Sequence, residues 1–424
     1  MGIELHAAGV SRAPTADFLD QVGEWLRTGP AGARVGWTAT SAPLRKSVEI
    51  SGDRLLAVLH PAAEPVDLRA AHGQVVVSAG CASAGPGYHR HVAAVLHEMG
   101  RRFDIVWDEG TEDPLGLGDD RAEVERDYLV WIRSLAETVL TEVPAEGAWV
   151  SIGLSLGSDR FDYDGLAASW LGPRDRDWFR SVRDGDEAAA RAFFPWWEDG
   201  WTAPTIRNTA MGIMWNDVRW RAPSDADDMP ALHQADALLA EAHRLDAALE
   251  LPWAAWHELR LLLAGASGAT AAGAPADLPA RAATAVPVPL GYRRRPVHTT
   301  PISGWSLQIP GDFTYGWDGD RWWAWDGTRQ IEITILHVGD SKTGPPPAAM
   351  LQYGANATAG HRGEPVSGGP GDGWWLPSED GAEVGVQGIA SRRNGELLLV
   401  TISVPGTQLD WAIEAWRSLR YNGD

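Results

Sequence analysis

The stretch AGASGATAAGAPADLPARAATAVPVP, Ala264 to Pro289, holds no aromatic residue and is built mostly from Ala, Gly, Pro, Ser and Thr. A segment of that composition buries too little apolar surface to offset the entropy of ordering itself, so a flexible linker is expected there. Hydrophobic period differs on its two sides, and this break constrains the chain more than any other feature. Before it, apolar residues recur at helical spacing between short strand-like runs; after it they alternate with a period of two. The expected class is therefore a mixed α+β / α/β multidomain protein. Residues 1–263 should form an N-terminal α/β plus helical domain, with possible halves 1–157 and 158–263. The linker then covers 264–289, and an antiparallel β-sheet with flanking helices covers 290–424. A length of 424 residues suits two or three cores.

Within the first region, Phe18, Val22, Trp25 and Leu26 share one helical face, and QVVVSA from Gln74 reads as a strand. A glycine-rich loop then leads into a helical segment from Tyr88 to Met99, followed by a strand at Phe103 to Trp107, an order that implies a small α/β unit. A long amphipathic helix is expected from about Arg121, and a strand at AWVSIGLSL from Ala148. From Phe179 the pattern turns helical and tryptophan-rich. One face carries Ile206, Ala210, Ile213, Met214 and Val218; another carries Leu232, Ala235, Leu239, Ala242 and Leu245.

After the linker, Trp305, Leu307 and Ile309 alternate, then RWWAW, then Ile331, Ile333 and Ile335, which describes an antiparallel sheet with one dry face. PPPAAMLQYGANATAG reads as a helix, Asn394-Gly395 as a hairpin turn, and Thr407 as the cap of a last helix bearing Ala412, Ala415, Trp416 and Leu419. With GWSLQIPGDF near its first strand and WAIEAWRSLRY at its close, the region from about 301 to 422 resembles the PsbP-like (DcrB-like) fold. Members of that family look like lipoproteins, secretion chaperones and adaptors with no shared catalytic set, so the resemblance implies a binding module and assigns no residue a role.

Formal charge is -21, from 57 acidic and 36 basic side chains. From Leu290 onward there are 15 acidic and 11 basic, which leaves 42 and 25, a balance of -17, for everything before it. Such a surface repels phosphate backbones and anionic lipid, so neither nucleic acid nor membrane is an expected partner; a basic protein is. Lys46 and Lys342 are the only lysines, a bias that points to a GC-rich bacterial genome. Cys81 is the single cysteine, which excludes an intrachain disulfide and suits the cytoplasm, as does an N-terminus without a secretion-signal pattern.

The stretch most like chemistry is SAGCASAGPGYHRHVAAVLHEMG, Ser78 to Gly100. On a helix, Val92, Val95, Leu96 and Met99 form a core stripe that His89 borders, while His91 and His97 lie about 120° apart and cannot share one ion. No metal site and no cofactor is expected. Gly80, Gly85 and Gly87 precede a helix start and could cradle an anion, with Tyr88 and His89 the nearest residues, although Pro86 removes a donor and a tight strand-to-helix turn is the commoner reason for such glycines. If the protein is an enzyme, a hydrolase using His89 and His91 with Asp108 and Glu109 as acid and base is the alternative to weigh. The preferred expectation is binding without catalysis. Trp196, Trp197 and Trp201 of FFPWWEDGW, with Trp215, Arg219, Trp220 and Arg221 of MWNDVRWR, combine the residue types that dominate protein interfaces. An adaptor, chaperone or toxin-immunity protein would fit; the same letters would also fit a helical core.

Overall fold

The computed structural model describes residues 3–12, 17–28, 48–108, 120–143, 150–151, 160–161, 167–224, 228–267, 273–286, 290–302, 304–337, 364–377, 383–391 and 396–421. The chain divides into two compact units. Unit 1 comprises Met1–Ser155, Tyr163–Val218 and Ala226–Gly291; unit 2 comprises Leu156–Asp162, Arg219–Asp225 and Tyr292–Asp424.

Unit 1 opens with β1 (Glu4–Ser11), α1 (Phe18–Thr28), β2 (Val48–Ser51), β3 (Arg54–Ala57), β4 (Val66–Ala71), β5 (Gln74–Gly80), α2 (Pro86–Arg102), β6 (Ile105–Trp107) and α3 (Arg121–Glu142). The strands form one sheet in the order β2-β3-β4-β5-β1-β6, with every neighbouring pair antiparallel. β1 sits between β5 and β6, pairing Leu5 with Ala79 on one side and Val10 with Val106 on the other. The connection β5-α2-β6 is thus a split crossover with the first strand inserted in its gap. Period-two alternation buries Leu5, Ala7, Leu55, Leu68, Val75, Val77 and Ile105 on one face, and the phenylalanine and tryptophan of α1 reach it through Phe103. At the β4-β5 turn both His72 (φ 53) and Gly73 (φ 80) are left-handed, the two-residue hairpin geometry that matches strand twist.

The expected stripe of α2 is buried as predicted: Val92, Val95, Leu96 and Met99 are all at most 5% exposed. α3 starts where expected because the Asp120 carboxylate accepts the backbone N–H groups of Ala122 and Glu123 at 2.9 and 3.1 Å. Of the strand expected at AWVSIGLSL only β7 (Val150–Ser151) falls within the described residues. β8 (Arg160–Phe161) belongs to unit 2, while β9 (Ala167–Ser169) and β10 (Gly172–Arg174) complete a small sheet with β7. The helices that follow are α4 (Arg176–Arg183), α5 (Glu187–Arg191), α6 (Ala203–Asn216), α7 (Asp228–Leu245), α8 (Trp253–Ser267) and α9 (Leu278–Thr284).

That last helix corrects the expectation of a structureless linker. Part of the stretch is ordered because Leu278 is buried and the Arg281 guanidinium lies 4.6 Å over the Trp253 ring, an anchor supplied by α8 that composition alone does not reveal.

Unit 2 contains β11 (Pro296–Ile302), β12 (Trp305–Pro310), β13 (Thr314–Asp318), β14 (Arg321–Trp325), β15 (Gln330–His337), β16 (Glu364–Val366), β17 (Asp372–Pro377), β18 (Glu383–Ser391), β19 (Glu396–Pro405), α10 (Leu409–Ser418) and β20 (Arg420–Tyr421). Seven strands form an antiparallel sheet in the order β13-β14-β15-β19-β18-β17-β16, and four form β20-β12-β11-β8. α10 lays Trp416 against Gly373 and Gly388; a methyl group on Gly388 would stand 2.3 Å from that ring. β18 and β19 make the expected hairpin, although Asn394-Gly395 lies outside the described residues, as does the helix expected at PPPAAMLQYGANATAG. Thr407 does not cap the last helix: it sits inside a 3-10 turn, Gly406–Gln408, and Gln408 occupies the cap position without a side-chain bond. Among the described residues no helix is long and apolar enough to cross a membrane.

Candidate functional site

The glycine loop ahead of α2 is filled by protein. Gly87 N–H donates to the Trp196 carbonyl at 3.1 Å and Trp196 N–H to the Ala84 carbonyl at 3.0 Å, so the loop is stapled to the segment after α5. Gly85 (φ 113) and Gly87 permit this contact, since a methyl group would lie 2.5 Å from Trp196 O at the first and 2.2 Å from Glu198 O at the second. The Gly87 N–H, one of the donors that an anion cradle would use, is thus already bonded to protein, as a tight turn requires.

Nor do the candidate acid-base groups meet. His89 faces the edge of Tyr128 with ring centroids 6.2 Å apart, whereas His91 lies along Trp196 at 5.0 Å. His97 is exposed, and the exposed Asp108 closes β6, its N–H donating to Ala8 O at 2.8 Å. Glu109 lies outside the described residues. Burial pushes the His89 and His91 imidazoles down to about 4, which keeps both neutral near pH 7. The same cause lifts the Cys81 thiol up to about 12, so it is no nucleophile at neutral pH. Among the described residues no three of His, Cys, Asp or Glu are grouped to hold a metal ion.

The tryptophans expected to face a partner are largely core. Trp196 is 1% exposed, Trp197 and Trp215 are buried, Trp201 is half-buried, and Tyr88 is fully buried. Arg219, Trp220 and Arg221 belong to unit 2. Arg221 donates to Asp312 O at 2.8 Å and Thr314 Oγ1 at 3.2 Å, and Trp220 lies under the Arg294 guanidinium at 3.6 Å. Trp196, Trp197 and Trp215 are thus packed within unit 1, and the half-buried Trp220 and Arg221 make contacts within unit 2; tryptophan and arginine stack as readily inside a fold as across an interface.

At the centre of the first region stands a residue that the sequence reading missed. His60, fully buried in the β3-β4 loop, has ring centroids of Tyr88, Trp170, Trp196 and Trp201 within 5.6 to 6.4 Å. Ala62 N–H donates to its Nδ1 at 3.1 Å, so the ring proton resides on Nε2 and donates to Thr209 Oγ1 of α6, also at 3.1 Å. The Thr209 hydroxyl in turn donates to Thr205 O at 2.9 Å. Burial, with His91 nearby, pushes His60 down to about 3. Around it the Tyr88 hydroxyl, His91 Nε2 and Trp196 Nε1 find no hydrogen-bond partner among the described residues. A lone histidine beside Pro61, in a loop whose one other polar side chain is Glu64, was the available signal.

Two other features face solvent. The sheet face opposite the core of unit 1 exposes Val10, Val76 and Val106 to 48, 49 and 44%. In unit 2 an open groove of about 780 Å³ runs between the β11-β12 hairpin and α10, with His298, Gln308, Trp411 and Arg417 among its walls; Arg417 is tied to Ser367 O and Glu414.

No family model and no curated protein matches the chain. A solved structure from Bacteroides thetaiotaomicron VPI-5482 aligns at 16% identity over 30% of this chain and 47% of that one, with a TM-score of 0.22, a likeness too slight to support an argument. The chain thus spans under half of that structure's length.

Proposed function

We propose that the chain is a non-catalytic protein-binding protein of the bacterial cytoplasm, acting as an adaptor, chaperone or toxin-immunity component does. The observation that carries this reading is the valine row on the open face of the six-stranded sheet. Val10 and Val106 are cross-strand partners, and Val76 on β5 lies diagonally across from Val10, so the three are contiguous. Contiguous apolar side chains left in water mark contact surfaces more often than scattered ones do. The partner is a basic protein, since the part of the chain before Leu290 carries -17 of the -21 charge and would steer such a protein inward. In the same reading unit 2 is a PsbP-like module, supported by its antiparallel sheet and closing helix. A hydrolase finds less support: His89 and His91 face different aromatic neighbours, and Asp108 lies on another element.

The test is reconstitution with a partner captured on the full chain and then purified. Val106→Glu and Val76→Glu are expected to weaken its binding at least about tenfold, with the circular dichroism spectrum unchanged, and raising salt should slow association. Wild-type affinity in both variants would remove the surface from the proposal, and a salt-independent on-rate would remove the steering.

A further inference from the structure

The hydrogen-bond chain through His60 has only one protonation state in which every bond survives. Nδ1 must carry its lone pair, because Ala62 N–H points at it, and Nε2 must carry the proton that Thr209 Oγ1 accepts. The ring thereby joins two parts of unit 1. One is the loop between β3 and β4, which Ser83 also holds by donating to Ala62 O; the other is α6. We propose that His60 is an acid-sensitive latch: a proton taken up at Nδ1 sets donor against donor at Ala62 and breaks that bond within the loop, and the buried cation then leaves its site, taking the Nε2–Thr209 bond with it and releasing the 58–65 loop from α6.

Among the described residues no carboxylate contact on the surrounding elements holds the imidazolium in place. From α2 it meets Tyr88, whose hydroxyl burial keeps protonated, and His91, whose own protonation would add a second positive charge. Trp170, Trp196 and Trp201 offer rings, and α6 offers Thr209, which already donates to Thr205 O. Carboxylates of the adjoining segments bind elsewhere: Asp199 accepts from Arg90 and Arg121 and Glu198 from Arg121, while the Glu64 carboxylate of the same loop stands beside Gly80. A cation without a facing carboxylate in a dry aromatic setting is expelled, not accommodated.

The direction of the effect follows from linkage. His60 takes up a proton near 6.5 when released and only near 3 in place. Above pH 6.5 both states are neutral and the latch is unaffected. Below it the released state gains a proton that the closed state lacks, so opening approaches a tenfold gain per pH unit until about pH 3, or about sixteen-fold between pH 6.5 and 5.0. Hydrogen exchange of residues 58–65 in the full-length chain, compared at each pH with His60→Gln, reads this directly and cancels the intrinsic chemistry of exchange. The wild type should gain about sixteen-fold in opening relative to the variant between pH 6.5 and 5.0. An equal response in the two proteins overturns the latch. Imidazole nitrogen shifts of the wild type give an independent reading that holds even where the variant does not fold. A His60 ring protonated on Nε2 alone down to pH 5 supports the proposal, and one that titrates near 6.5 in the folded protein defeats it.

Discussion

Two tryptophans of unit 1 are equally buried and sit in opposite electrical surroundings. Trp256 of α8 donates its indole N–H to the Asp236 carboxylate of α7 at 2.7 Å, and the Arg260 guanidinium lies 3.3 Å from the same oxygen. Trp196, 1% exposed, finds no acceptor for its indole N–H among the described residues and is ringed by His60, Tyr88, His91 and Trp201. One region answers a buried N–H with charge, the other surrounds it with neutral rings. The first is costly to break one partner at a time; the second is weakly bonded but closes only while its histidines stay neutral.

Acidification should separate the two regions most. His89 and His91, ordinarily near 6.5 and held at about 4, leave stability unchanged above pH 6.5. As pH falls from there to about 4, each removes about 1.4 kcal/mol per unit. Hydrogen exchange should therefore show the first turn of α2 losing protection at pH 5 while α7 and α8 retain theirs. Simultaneous loss would mean that the regions unfold as one. Asp236→Ala is the next largest effect, about 3 to 5 kcal/mol by urea unfolding, because it strips Trp256 and Arg260 of a shared buried acceptor; a loss below about 1 kcal/mol would show the pair to be dispensable.

Gly87→Ala should cost about 1 to 3 kcal/mol by forcing Trp196 and Glu198 away from α2. Thermal melting that matches wild type would show the staple to be loose. Trp196→Phe should be mildest, about 1 kcal/mol, since lost ring volume is partly offset by removing an unpaired N–H. Trp256→Phe should cost about twice that, and the reverse ranking would dissolve the contrast.

Local periodicity made much of the fold legible. The stripe of α2, the alternation in β12 and β15 and the face of α10 all follow from side chains a few residues apart, and helical geometry alone separated His91 from His97. What escaped depends on distant partners. Nothing near Glu4 states that it will pair with Gly80, and nothing in Leu278 states that it will be buried. The tryptophan and arginine clusters were visible as letters but not as core or surface, because the same stacking serves both. His60 was invisible since its significance lies in Thr209, on a helix far along the chain.

The position of β1 bears on how the chain comes together during synthesis. Its edges have no mates until β5 and then β6 have been made, and those two strands cannot complete the sheet without it. A segment left waiting with both backbone edges bare is what holding factors bind and what neighbouring copies capture. Removing Glu4 to Ser11 would leave a slot in the middle of the sheet, open to any extended peptide of matching alternation.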